Sequence, residues 1–263
     1  MERRKRIRSL VAFQAEAYLS KVLKLLVFDL DGTLVDTRID LGHAVNHGLV
    51  HCGYPSLPLE SILAYVGDGA TLLIERSLKS AMNEPESFTP PKSRTEKVLS
   101  AFLEYYQNHC VRESVLYPGV RNSLEKLRHY RMAVLTNKPL LPTTRILAGL
   151  GIAPCFSWVM GGDNDFGVKP NPGALQQILA WAEAGPSESL VIGDGLQDLR
   201  VARRAGTHFL GFLGGIGPRE ALLSEQPEAI LEDMHFLPEA ITGLITPLNQ
   251  TNAIESPFSR SQP

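Results

Sequence analysis

From Tyr117 onward the chain alternates between short apolar runs and amphipathic stretches, in the order GVRNSLEKLRHY, MAVLT, LPTTRILAGLG, SWVMG, PGALQQILAWAEA, SLVIGD, LQDLRVARRAG and HFLGFL. Strands that alternate with helices imply a parallel sheet covered by helices on both faces. An earlier apolar run, LLVFD at 25–29, supplies one more strand, so the expected core is a doubly wound, Rossmann-like α/β domain. In such a sheet the ligand lies beyond the carboxyl ends of the strands. The polar residues directly after each strand are therefore the ones to read.

Between the first strand and this alternating region the periodicity changes. RIDLGHAVNHGLVHCG, LESILAYVG, ATLLIERSLKSAM and RTEKVLSAFLEYYQNHC place apolar residues three and four apart, which predicts helices with no strand among them. NEPESFTPPKS reads as a loop and RESVLYPGV as a return linker. Residues 38–114 are thus expected to be an α-helical cap domain inserted into a core made of 22–37 and 115–245. The basic stretch 1–21 reads as a solvated helical extension, because Gln14, Glu16 and Lys21 interrupt its apolar residues and no signal-type apolar region forms. Residues 246–263 have the composition of a disordered tail.

Composition restricts the partners. With 44% hydrophobic residues, 21% charged residues and a formal net charge of -2, the chain has ordinary globular make-up and no field to draw in nucleic acid. No apolar span of membrane length occurs. Cys52, Cys110 and Cys155 lack CxxC spacing, so neither a disulfide framework nor a zinc site is expected, and a reducing cytoplasm fits. A monomer or homodimer is expected.

The strand ends carry Asp29 and Asp31 after the first strand, Thr136 and Asn137 after MAVL, and Asp194 after VIG, while Lys169 precedes a helix in GVKPNPG. Carboxylates packed on one sheet edge repel one another and are costly to bury, so the cluster calls for a cation. Oxygen ligands with an open position suit Mg²⁺, which keeps waters and a substrate phosphate. A carboxylate can attack an anionic phosphoryl group once metal and lysine neutralise its oxygens. Asp29 is placed to be the nucleophile and Asp31 to protonate the leaving oxygen and then activate water. Thr136, with nearby backbone N–H groups, Asn137 and Lys169 would hold the phosphate. Asp194 would bind metal, and Asp198, four residues on, would support the metal's water shell or Lys169.

Taken singly, each acid also fits a capping role and Lys169 a surface position. Their common order at strand ends argues otherwise. His43, His47 and His51 recur at four-residue spacing and read as a solvated or cap-facing helix surface. GFLGGIGP lacks the glycine order of a dinucleotide site and reads as a loop after a strand.

DLDGTLVDT, LTNKP, GVKPNPGAL and GDGLQDLRVARRAG, in this order and with a helical insertion after the first, resemble the haloacid dehalogenase superfamily over about residues 22–243. YVGDGATLLIERSL and YPGVRNSLEKLRHYRMAVLTNKP are similar to its phosphoglycolate phosphatase branch. The resemblance implies an aspartyl-phosphate on Asp29, Mg²⁺ held by the Asp29 and Asp194 carboxylates and the Asp31 backbone carbonyl, and a mobile cap. Gly195 stands where Ser is frequent and Gln197 where Asn is frequent. The resulting expectation is a Mg²⁺-dependent phosphomonoester hydrolase for a small phosphorylated metabolite, with Gly67, Asp68, Gly69 and Arg76 as cap residues that set specificity. A sugar phosphomutase of the β-phosphoglucomutase type and an inactive binding module remain as alternatives. A dehalogenase fits less well, since that subgroup lacks an acid equivalent to Asp31.

Overall fold

The computed structural model describes residues 23–245. The expected basic extension and the expected disordered tail both lie outside the described residues. Strand β1 (Leu25–Phe28) is followed by the short β2 (Val35–Asp36) and then by helices α1 (Arg38–His51), α2 (Leu59–Leu63), α3 (Ala70–Ala81) and α4 (Lys92–His109). The chain returns through β3 (Val115–Leu116), α5 (Val120–Lys126), β4 (Arg131–Leu135), α6 (Leu140–Gly149) and β5 (Trp158–Met160). It closes with α7 (Gly173–Trp181), β6 (Ser189–Gly193), α8 (Leu196–Ala205), β7 (His208–Phe212), α9 (Arg219–Ser224), β8 (Ala229–Leu231) and α10 (Leu237–Ile245).

Six strands form one parallel sheet in the order β5-β4-β1-β6-β7-β8. β1 lies between β4 and β6, where the strand order reverses, and a doubly wound sheet opens its crevice at such a point. All four residues of LLVF are fully buried, as a central strand covered on both faces requires. Leu25 and Val27 enter one apolar cluster with Ile178 and Leu199, whereas Leu26 and Phe28 enter the other. That second cluster runs on without a break into the insertion through Leu41, Leu49, Ile62 and Phe102.

The insertion is helical, as its periodicity predicts, but with two differences. LESILAYVG makes only a short α2 that stops at Leu63, and the chain runs on as a loop in which Gly67 and Gly69 adopt φ of +122° and +92°. β2 and β3 also pair, antiparallel, into a two-stranded ribbon through which the chain leaves and re-enters the core. Asp40, buried in the first turn of α1, ties the two passages together. Its carboxylate accepts the N–H groups of Glu113 and Ser114 and the Ser114 hydroxyl at 2.8–3.0 Å. In the six-stranded sheet the unexpected strand is β8, whose three residues are too short to produce a readable pattern. None of the described residues forms a helix long and apolar enough to cross a membrane, and all three cysteines are free.

Candidate active site

The carboxyl ends of β1, β4 and β6 deliver Asp29, Thr136 and Asp194 to one cleft, and all three are buried. After β1 the chain folds back on itself, with the N–H groups of Thr33, Leu34 and Val35 all donating to the Leu30 carbonyl. This turn swings Asp31 over the site. It also needs Gly32: φ there is +88°, and a Cβ would stand 2.1 Å from an Asp194 carboxylate oxygen.

Lys169 joins the acids. Its ammonium donates to Asp29 Oδ1 and Asp198 Oδ1, each at 2.6 Å, with the lysine side chain nearly fully buried. Asp198 thus reaches Lys169, one of the two partners expected for it. Its second oxygen accepts the Gly195 N–H at 3.0 Å, so the same residue caps α8. Asp194 is held by the Thr33 hydroxyl at 3.0 Å and by the Ile216 and Gly217 N–H groups at 2.8 Å. GFLGGIGP is thus the loop that cradles Asp194, a role its glycine pattern does not reveal.

Electrostatics follow from burial. Desolvation pushes the Asp29 carboxyl up to about 8; the Lys169 charge opposes this and the Asp198 and Asp194 charges reinforce it. Asp194 is pushed up to about 6, by burial first and the Asp198 charge second. For Lys169 burial favours the neutral form, but the Asp198 and Asp29 charges outweigh it and raise its pKa. Carboxylate oxygens of Asp29, Asp194 and Asp198 lie within 4.8 Å of one another. Three buried acids facing one ammonium are short of positive charge, and their hard oxygen donors fit a metal ion.

The remaining expected residues also line this cavity, of about 540 Å³. The Thr136 hydroxyl accepts the Lys138 N–H at 3.2 Å. Asn137 spends its side-chain amide on positioning: it exchanges hydrogen bonds with the Lys169 backbone at 2.8 and 2.9 Å and donates to the Gly67 carbonyl at 3.0 Å. Gly67, Asp68, Gly69 and Arg76 all reach the cavity from the insertion. Asp68 pairs with Arg76 at 2.6 Å and accepts a hydrogen bond from Gln197. The departure at 197 is therefore a contact between core and insertion.

Lys138 is the residue that sequence reasoning missed. Its ammonium donates to both Asp31 oxygens at 2.7 Å and sits 4.7 Å from the centroid of the Tyr106 ring, while Thr37 supplies a third hydrogen bond to Asp31. The available signal was its place in LTNKP, two residues beyond Thr136. His43, His47 and His51 are exposed and lie away from the cleft, with His47 stacked on Tyr105.

A doubly wound sheet with a helical insertion and a carboxylate–lysine cluster at its switch point defines a class, and comparison with known proteins gives the same one. The chain belongs to the haloacid dehalogenase-like hydrolases, whose family model matches residues 26–212. Among them it is a phosphatase. It is 34% identical over 81% of its length to a phosphoglycolate phosphatase of Pseudomonas putida, covering 78% of that protein. The identity is also 34% to a phosphoglycolate phosphatase of Vibrio parahaemolyticus, over 83% of this chain and 96% of that one. The crystal structure of a predicted phosphoglycolate phosphatase from Haemophilus somnus superposes with a TM-score of 0.76 at 29% identity, covering 85% of this chain and 99% of the other.

Proposed function

We propose that the chain is a Mg²⁺-dependent phosphomonoesterase for a small, phosphoglycolate-like ester, working through an aspartyl-phosphate at Asp29. The observation that carries this reading is the Lys169 ammonium fixed 2.6 Å from the Asp29 carboxylate inside a buried acidic cluster. Such a lysine, with Thr136 beside it, neutralises phosphate oxygens while the Asp29 carboxylate attacks phosphorus. Asp31 gives its proton to the departing alkoxide and takes one from the water that then hydrolyses the acyl phosphate. Asp29, Asp194 and the Asp31 backbone carbonyl would hold Mg²⁺, whose charge keeps Asp29 ionised and offsets that of the phosphate. Asp198 and Asn137 keep Lys169 in place. Residues 38–114 serve as the cap that limits water entry and presents specificity residues.

The test uses 2-phosphoglycolate as substrate. Phosphate release should require Mg²⁺, stop with EDTA and resume on addition of Mg²⁺. Acid quenching should trap labelled phosphate on the protein. Asp29→Asn should lose both label and turnover, by on the order of 10⁴-fold or more, as for other nucleophile deletions. Label retained by Asp29→Asn would assign attack to another residue.

A further inference from the structure

We infer that the Tyr106 hydroxyl and the Lys138 ammonium form a subsite for a carboxylate borne by the substrate, and so set a preference for acidic over neutral esters. The inference rests on the phosphatase reading above. Tyr106, on α4 of the insertion, is 1% exposed and lines the cavity, yet its hydroxyl has no hydrogen-bond partner among the described residues. Buried hydroxyls are almost always paired, so an unpaired one in a binding cavity calls for a ligand. Packing does not explain it. The Tyr106 ring already stacks on Phe102, 5.4 Å between centroids, and a phenylalanine would fill the same space.

Lys138, from the core side, places its ammonium over the same ring, 4.7 Å from the centroid. An ammonium has three donors. Two are engaged by the Asp31 oxygens at 2.7 Å, which leaves one N–H for a ligand in a residue that also lines the cavity. The role of counter-charge to Asp31 accounts for Lys138 alone and leaves Tyr106 unexplained. Two donors without an acceptor, one of them charged, favour an anionic group. Lys169 and Thr136 already serve the phosphate, so the group at Tyr106 and Lys138 belongs to the part of the substrate beyond the ester oxygen. A carboxylate offers one oxygen to each donor.

The experiment compares kcat/KM for 2-phosphoglycolate and ethyl phosphate, which share a two-carbon alkyl leaving group and differ in the carboxylate. Tyr106→Phe should reduce the ratio of the two by about tenfold, the usual scale for one hydrogen bond to a charged group, while melting no lower than the wild type. Lys138→Gln should reduce the ratio at least as much, whatever it does to Asp31, because a fault at Asp31 slows both esters alike. An unchanged ratio in Tyr106→Phe, in a protein that hydrolyses both esters, would overturn the subsite and leave the phosphatase reading intact. Failure of the wild type to release phosphate from either ester in Mg²⁺ would overturn both.

Discussion

Lys169 balances the site's charge while its acids compete for it, and this fixes what its loss must do. Lys169→Ala leaves Asp29 and Asp198 facing each other unpaired, and should lower kcat/KM by on the order of 10²- to 10³-fold, the scale of one preorganised charge-stabilising group. A rate near that of the wild type would place Lys169 outside the chemistry. The same crowding is visible in stability. Burial pushes the Asp29 carboxyl up to about 8 from its ordinary 3.8, so the stability linked to it is full below pH 4 and lost as pH rises through about 8. Asp194, raised to about 6, has the same sign. In EDTA the wild type should therefore lose melting temperature between pH 4 and 8 more steeply than Asp29→Asn, and saturating Mg²⁺ should stabilise it more at pH 8 than at pH 5. Scanning calorimetry reads both; a steeper fall in Asp29→Asn would contradict the burial argument.

At the scale of elements, a few polar contacts around the cavity mouth add to the apolar packing between insertion and core. Gln197 on α8 donates to Asp68, Asn137 donates to the Gly67 carbonyl, and Asp68 in turn fixes Arg76. Gln197→Ala removes one such tie without touching the acids, and should relax selectivity between a two-carbon ester and a bulkier one by a factor of about 2 to 10, the worth of one hydrogen bond. Parallel kcat/KM measurements on the two esters would show it, and an unchanged ratio would deny the tie any part in selection. The strands that carry Asp29, Thr136 and Asp194 were legible because a buried parallel strand is an unbroken apolar run with its polar residue at one end. Asp40 was not, since an acid in the first turn of a helix looks like any other there, and its partners lie more than 70 residues away. Lys138 beside Pro139 reads as a surface turn until α4 folds Tyr106 over it. Where a side chain's meaning depends on an element distant in sequence, local pattern carries no trace of it.

For the whole molecule the continuity of the apolar interior matters more than the boundary at 38–114. One cluster takes in Phe28 and Leu26 from the sheet together with Leu41, Ile62 and Phe102 from the insertion. Urea unfolding should accordingly follow a single transition, coincident by far-UV circular dichroism and by tryptophan fluorescence, whose two reporters, Trp158 on β5 and Trp181 at the end of α7, both lie outside the insertion. Two resolved transitions would show that the insertion is energetically separate. The ribbon of β2 and β3 adds something else. Because Asp36 and Val115 are cross-strand partners, the chain enters and leaves the insertion at adjacent points, and the length of what lies between enters the closure entropy only logarithmically. The length of the segment between them can therefore change at little entropic cost while the spacing from Asp29 to Asp31 stays untouched, provided the residues that meet the core, Leu41, Ile62 and Phe102 among them, are kept. Substrate range and bond-breaking chemistry can then evolve on separate clocks within one gene.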